Sequence, residues 1–146
     1  MKLNLDCVRA VMMYIEENQV YQIEDFSQKR ELKKVSFYAI KTDEKLSQKF
    51  SEDDLEYTVV QLFLNEYVVG YHTPKNEPYI DIAEIDYITP LGHEFLDNVR
   101  NDTVWNGVKK KIASVGTASL KAVAKIAGTL LMKFIENPEL LSNFEL

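Results

Sequence analysis

Three consecutive segments decide the fold of this chain. Residues 51–67 read SEDDLEYTVVQLFLNEY, residues 68–88 read VVGYHTPKNEPYIDIAEIDYI, and residues 89–99 read TPLGHEFLDNV. The first begins with Ser51, a good N-cap, and three acids that suit the positive end of a helix, and its apolar residues recur at three- and four-residue steps. The second has β-branched and aromatic residues on both sides of a loop with two prolines, and the third opens with Thr89 and Pro90, a cap and a first-turn proline. The segments therefore predict a helix, a β-hairpin and a second helix.

The predicted helix over residues 51–67 has one buried side and one side toward solvent. At 100° per residue, the buried face and its flanks consist of Leu55, Val59, Val60, Leu62, Phe63, Leu64 and Tyr67. The opposite, solvent-facing strip consists of Asp54, Thr58, Gln61 and Asn65. In the next helix the apolar stripe consists of Leu91, Phe95, Leu96 and Val99.

The segments before residue 51 are less regular. Apolar residues at helical spacing behind Asn4 predict an opening helix, and they are Leu5, Val8, Met12 and Ile15. Residues 32–40 place Val35, Phe37 and Ala39 on one side, which predicts a strand near a sheet edge. Residues 41–49 are highly charged, and we predict a turn or loop there.

From Thr103 onward the composition shifts to Ala, Lys, Gly and Ser, and apolar residues keep helical spacing as far as Phe134. Glycines at 116 and 128 lower the helix propensity and could divide this helix, and Asn137-Pro138 should end it. Its apolar stripe needs a partner surface, which suggests a homodimer formed through residues 104–136. Trp105 is expected to plug the junction with the preceding domain.

Helix, hairpin and helix in this order form the core of a winged helix. The predicted class is therefore α+β: a winged-helix-like domain over residues 1–103, a long helical extension over 104–136, and a tail over 137–146.

The chain has 146 residues with 46% hydrophobic side chains, enough for a core without disulfides. It has a single cysteine, no secretory leader pattern and no apolar run long enough to span a membrane, so a cytoplasmic location is expected.

The net charge of −6 is unevenly distributed along the chain. Residues 27–49 carry seven basic and three acidic side chains, net +4, and residues 103–136 carry six lysines and one glutamate, net +5. Residues 50–102 carry 2 basic and 12 acidic side chains, net −10. Segments of opposite sign could attract each other within the fold or between copies.

Patterns typical of catalysis or of metal binding do not occur. His93-Glu94-Phe95-Leu96-Asp97 has an aspartate where a zinc-binding helix would need its second histidine. Cys7 has no adjacent histidine, the serines lie in no strand-turn-helix elbow, and the five glycines form no phosphate-binding loop. We therefore expect no enzyme activity, no metal, no cofactor and no small-molecule substrate.

The stretch from Phe50 to Trp105 resembles a family of phage- and prophage-associated proteins of unknown function. Its most specific match reads ITPLGHEFLDNVRND over residues 88–102 and ends in Val104-Trp105. The resemblance extends to the opening residues 3–18. It implies a winged-helix-like fold, a mobile-element origin and a bacterial host cell, and it implies no particular activity.

Two hypotheses of function remain open, and both are binding functions. As a DNA-associated regulator, the chain would read bases with Thr58, Gln61 and Asn65 and touch the duplex with the wing-tip residues Lys75 and Asn76. Phosphate contacts would then come from a basic patch made of Lys29, Arg30, Lys33, Lys34, Lys109, Lys110 and Lys111.

The alternative is a protein partner. It would be contacted by Glu52, Asp53 and Glu56, which lie at the start of an acidic helix without lysine or arginine. In that case the chain would bind and inhibit a host defence or nucleic-acid-handling protein.

Overall fold

The computed structural model describes residues 1–116 and 119–139. Over this part of the chain the elements follow one another as α1 (Leu5–Asn18), β1 (Tyr21–Ile23), β2 (Arg30–Leu32), β3 (Val35–Ser36), α2 (Phe37–Thr42), α3 (Glu44–Lys49), α4 (Glu52–Leu64), β4 (Val68–Thr73), β5 (Ile82–Ile88), α5 (Pro90–Val99), α6 (Asp102–Val115) and α7 (Leu120–Glu136). The prediction of a mixed α+β protein with helices at its C-terminal end is confirmed. None of the helices in the described ranges is both long and apolar enough to cross a bilayer.

The predicted capped helices exist because their first-turn N–H groups find side-chain acceptors. The side chain of Asn4 accepts from the N–H of Cys7, that of Ser51 from Asp54, and that of Thr89 from Gly92. Each of these bonds satisfies a donor that the helix itself leaves unpaired.

The predicted β-hairpin is also present. Strand β5 lies in the centre of an antiparallel sheet with the order β3-β5-β4, so β3 and β4 are its two outer strands. Ala83 and Ile85 of β5 point into the core, and Ile88 does so again after the irregular pairing opposite Val69 and Gly70. The sheet is therefore half-buried, with one face on the helices.

Residues 20–32 form a separate hairpin, which we call the arm. Among the described residues its strands β1 and β2 pair only with each other, and every side chain from residue 20 to residue 31 is exposed. The base of the arm is fixed by Gln19, whose Nε2 donates to the Asp86 carbonyl at 2.8 Å, and by Lys34, whose Nζ lies 3.7 Å from the Asp86 carboxylate. The arm thus leaves the sheet on the side of β3.

The strand predicted over residues 32–40 and the loop predicted over 41–49 are wrong beyond Ser36. The Ser36 hydroxyl accepts from the N–H of Ala39 and starts α2, and the Asp43 carboxylate accepts from Leu46 and starts α3. Phe37, Ile40 and Leu46 are buried at helical spacing. The two caps outweigh the β-propensity of the sequence between them.

The core lies where α1, α4 and α5 meet on the sheet. Its largest fully buried side chains include Met12, Ile15, Leu55, Leu62 and Phe95. Predicted core residues Leu64 and Leu91 are exposed, and Phe63 is half-buried, because these three lie at the margins of the apolar stripes. Truncating one fully buried leucine to alanine typically costs ~2–5 kcal/mol.

The start of α5 packs closely against the end of α4. The Thr89 N–H donates to the carbonyl of Tyr67 at 3.0 Å, and its hydroxyl donates to that of Glu66 at 2.6 Å. A Cβ at Gly92 would collide with the Tyr67 carbonyl oxygen. Only glycine lets the first turn of α5 approach the end of α4 so closely.

The C-terminal helices form a hairpin that packs on the rest of the chain. Gly116, with φ of 76°, ends α6 in the left-handed conformation, so it divides the predicted helix as expected, whereas Gly128 lies within α7. Buried residues on these helices include Trp105, Val108, Val123, Ala127 and Leu130. The chain's own core therefore covers most of the stripe that suggested a homodimer through residues 104–136, whereas Val115 stays exposed.

Helix α1 is tied to α5 and α6 by polar contacts as well as by packing. Arg9 Nε donates to the Val99 carbonyl at 2.7 Å, and its Nη2 donates to the Arg100 carbonyl and to the Asp102 carboxylate. As predicted, Trp105 is buried at the junction, and its Nε1 donates to the Asp6 carboxylate at 2.8 Å. These bonds satisfy the free carbonyls at the end of α5.

Candidate functional site

A groove of about 520 Å³ opens between the C-terminal half of α4 and the β4–β5 hairpin. Its walls are Phe63 and Leu64 from α4, and Tyr71 and His72 from β4. The rings of Phe63 and His72 contact each other, with centroids 4.6 Å apart. We call this feature the α4–β4 groove, and its size is typical of a site that receives side chains of a ligand or partner.

The groove is lined by exposed apolar side chains. Leu64 is 69% exposed and Tyr71 is 61% exposed, and both line the groove. Single exposed apolar residues are common on proteins, but a concave set of them with a polar rim is typical of an interaction site. These two residues are therefore available to a partner.

The charges around the α4–β4 groove are mixed, with an acidic excess. Glu66 and Glu77 lie on its rim with a single lysine, Lys75. Helix α4 begins with three acids and contains no lysine or arginine. The groove therefore offers an apolar floor and a predominantly negative border.

Thr58, predicted to face solvent and to contact bases, is fully buried, so this prediction is wrong. Helix α1 packs against the side of α4 that carries Asp54 and Thr58: Asn4 Nδ2 donates to the Asp54 carboxylate at 3.2 Å, and Cys7 Sγ lies 3.6 Å from the Asp54 carbonyl. Within residues 1–116 and 119–139 no nitrogen or oxygen atom bonds the Thr58 hydroxyl, and its polar neighbour is the Cys7 thiol. Thr58 cannot reach a nucleic acid.

Gln61 and Asn65 are half-buried and lie away from the α4–β4 groove. They line a second opening beside Leu3 and the start of α7, where Ser119 and Lys121 also lie. Asn65 Nδ2 donates to the Gln61 carbonyl at 2.9 Å, so this amide group already has a hydrogen-bond partner within its own helix end. The strip predicted to read bases therefore faces the other helices of the chain.

The remaining predicted contact residues of this region fall into two groups. Lys75 and Asn76 are exposed in the β4–β5 loop and line the α4–β4 groove. Glu52 and Asp53 are exposed at the start of α4. Glu56, in contrast, accepts from the N–H of Ile80 at 3.1 Å, so it fastens the β4–β5 loop to α4.

The predicted basic patch is divided between two places. Lys29, Arg30, Lys33 and Lys34 lie on the arm or at its base, at the C-terminal end of α1. Lys109 contacts the Asp6 carboxylate at 3.1 Å. Asp6 lies in the first turn of α1, about 20 Å from the C-terminal end of that helix at 1.5 Å per helical residue. Lys110 is half-buried, while Lys111 is exposed beside Lys125 and Lys133 in a small cleft between α6 and α7.

Cys7 and Asp6 are perturbed for structural reasons. Burial raises the pKa of the Cys7 thiol to about 11, which keeps it protonated and unreactive. Burial also opposes ionisation of Asp6, but hydrogen bonds from Trp105 and Lys109 outweigh it and lower the pKa of that carboxyl. Across residues 1–116 and 119–139, no three His, Cys, Asp or Glu side chains come together as a metal site.

Comparison with known proteins places the chain in a family without an assigned activity. A protein of Haemophilus influenzae, described as uncharacterized, is 39% identical over 62 residues, which cover 39% of this chain and 52% of that protein. The chain therefore spans about half the length of this relative. No solved structure matches the chain. A model of the family described as "Hypothetical protein (DUF2513)" matches residues 2–119, a range that includes α1 to α6 and the whole α4–β4 groove. By this match the chain belongs to the DUF2513 family, and the expectation of a family of unknown function is confirmed.

Proposed function

We propose that this chain is a non-catalytic protein-binding module of winged-helix type, and that its α4–β4 groove receives an apolar and basic segment of a partner protein. The order of helix, strand, short helices, long helix and hairpin, with β5 between β3 and β4, supports the winged-helix assignment. In that fold α4 holds the position of the reading helix, and the β4–β5 hairpin holds that of the wing.

The observation that carries the proposal is the chemistry of the surface between reading helix and wing. Nucleic-acid binding depends on lysines and arginines that neutralise phosphates. Here the groove presents Phe63, Leu64 and Tyr71, and its rim carries two glutamates for one lysine. Such a surface favours burial of apolar side chains flanked by positive charge.

DNA-associated regulation, our first hypothesis from the sequence, is less well supported by this geometry. Thr58 is buried, and Gln61 and Asn65 face the start of α7. The lysines that would contact phosphates lie at opposite ends of α1. If the resemblance to phage proteins holds, the expected partner is a protein of the bacterial host.

A library of displayed peptides, selected on the purified full chain, tests this proposal. We expect selected sequences that combine an aromatic or aliphatic anchor with lysine or arginine. Their binding should be lost in Leu64→Glu and retained in Leu91→Glu, a matched control because Leu91 is also an exposed leucine, on α5 and outside the groove.

A parallel titration with duplex DNA distinguishes the two hypotheses. We expect no binding at ~50 mM salt, where electrostatic binding to DNA is strongest. Saturable DNA binding there, together with peptides that bind Leu64→Glu as well as the wild type, would overturn the proposal.

A further inference from the structure

We propose that the arm of one copy of this chain binds in the α4–β4 groove of a second copy, with Phe26 as the side chain that enters it. The inference rests on the proposed function, because it uses the same groove, and it names the occupant. Two copies that exchange arms reciprocally would form a closed dimer.

The first observation is that hydrogen bonds hold the tip of the arm in a defined turn although no other segment of residues 1–116 and 119–139 covers it. The Glu24 N–H donates to the Lys29 carbonyl at 2.9 Å, and the Gln28 N–H donates to the Glu24 carbonyl at 3.0 Å. The Ser27 hydroxyl donates to the Glu24 carboxylate at 2.8 Å. This turn holds Phe26 outward with 98% of its side chain exposed.

The second observation is the amount of apolar surface on so small an element. Besides Phe26, the large side chains Val20, Tyr21 and Ile23 are more than half exposed. An exposed hairpin with free edges and apolar side chains normally favours association, and soluble proteins usually blunt such edges with charge. A rigid aromatic anchor on an ordered turn loses little entropy on binding.

The third observation is the complementarity between arm and groove. The floor of the groove is apolar and matches Phe26 in chemistry. On the arm, Lys29 makes no ion pair within residues 1–116 and 119–139, and Arg30 lies over the ring of Tyr21, 4.6 Å from its centroid. Both cations can therefore approach Glu66 and Glu77 on the rim of the groove.

The fourth observation explains why the occupant is a second copy. The arm continues directly into β3, one outer strand of the sheet, whereas the groove is built on β4, the other outer strand. The contacts of Gln19 and Lys34 with Asp86 fix the base of the arm on its own side. Within one chain the arm leaves Leu64 and Tyr71 exposed.

Light scattering and sedimentation of the full chain over a range of concentrations test the inference. We expect a reversible dimer whose dissociation constant rises by ~30-fold or more in Phe26→Ser, as for a central aromatic anchor. The same loss is expected in Leu64→Glu. Tyr38→Ser, which removes another exposed aromatic side chain, on α2, should leave the dimer unchanged.

A mixing experiment adds a result that only the proposed contact produces. Phe26→Ser keeps an intact groove and Leu64→Glu keeps an intact arm, so the two variants together should associate where neither does alone. Circular dichroism of each variant checks that the fold is retained. A wild-type chain that stays monomeric, a dimer that tolerates Phe26→Ser, or mixed variants that fail to associate would each overturn the inference.

These outcomes are separable from those of the proposed function. If the chain is monomeric but still binds selected peptides in a Leu64-dependent manner, the groove is a binding site and the arm is not its ligand. If the dimer forms as described and no peptide is selected, the groove serves self-association and the proposed function loses its support.

Discussion

Replacing Thr58 by valine should stabilise the protein. Valine has nearly the shape of threonine and the same helix propensity, so Thr58→Val changes little except the hydroxyl. That hydroxyl is fully buried and bonds no nitrogen or oxygen atom of the described residues, and the Cys7 thiol beside it is only a weak partner. Removing an unsatisfied buried polar group should raise the free energy of unfolding by about 1 kcal/mol. This is the lower end of the usual cost of such a group, because the Cys7 thiol is a weak partner of the hydroxyl.

Urea unfolding followed by circular dichroism measures this gain. With a slope near ~2 kcal/mol per M, the midpoint should rise by about 0.5 M at an unchanged slope. The melting temperature should rise by about 3 °C. Thr58→Ser, which keeps the hydroxyl and loses the methyl group, is the control and should destabilise the protein by about 1 kcal/mol. A Thr58→Val protein that is less stable than the wild type would refute the reasoning, because the hydroxyl would then have a partner.

Three further predictions concern the junctions between elements. Because the pKa of Asp6 is lowered from 3.8 in the folded state, its contribution to stability is present above pH 3.8 and is lost as the pH falls through the folded value. Asp6→Asn should therefore lose less unfolding free energy between pH 7 and pH 3 than the wild type in urea titrations. Gly92→Ala should cost about 1–3 kcal/mol in the same assay, because its Cβ meets the Tyr67 carbonyl, and an unchanged midpoint would contradict the close approach. Trp105→Ala should cost ~3–5 kcal/mol by calorimetry or urea unfolding, whereas Trp105→Phe, which keeps most of the packing, should cost clearly less.

Local signals in the sequence were sufficient for the elements that decide the fold. The caps at Asn4, Ser51 and Thr89 and the apolar spacing behind them predicted α1, α4 and α5 correctly, because capping and periodicity involve neighbours along the chain. The prolines and β-branched residues around the β4–β5 loop did the same for the hairpin. Between residues 35 and 49, two short helices each depend on one cap, and the β-propensity of the apolar residues obscured both.

The candidate site was harder to predict because it depends on contacts between distant segments. Thr58 belongs to a polar strip by helical periodicity, and only the packing of α1 against that strip buries it. Leu64 looks like a core residue in the sequence, yet it lies in the groove because no element of the described part of the chain covers the end of α4 on that side. The arm was missed because strands of three residues give too short a pattern for alternation to be recognised.

The bonds between Arg9 and the end of α5 also bear on how the protein forms during translation. The partners of Arg9 are the carbonyls of Val99 and Arg100, which are about 90 positions downstream. At ~5–20 residues per second, the ribosome needs roughly 5–20 s to deliver them after α1 has been made. During that interval the apolar stripe of α1 is without its final cover, so nascent chains should depend on chaperones, and slow codons before residue 100 should lengthen that dependence.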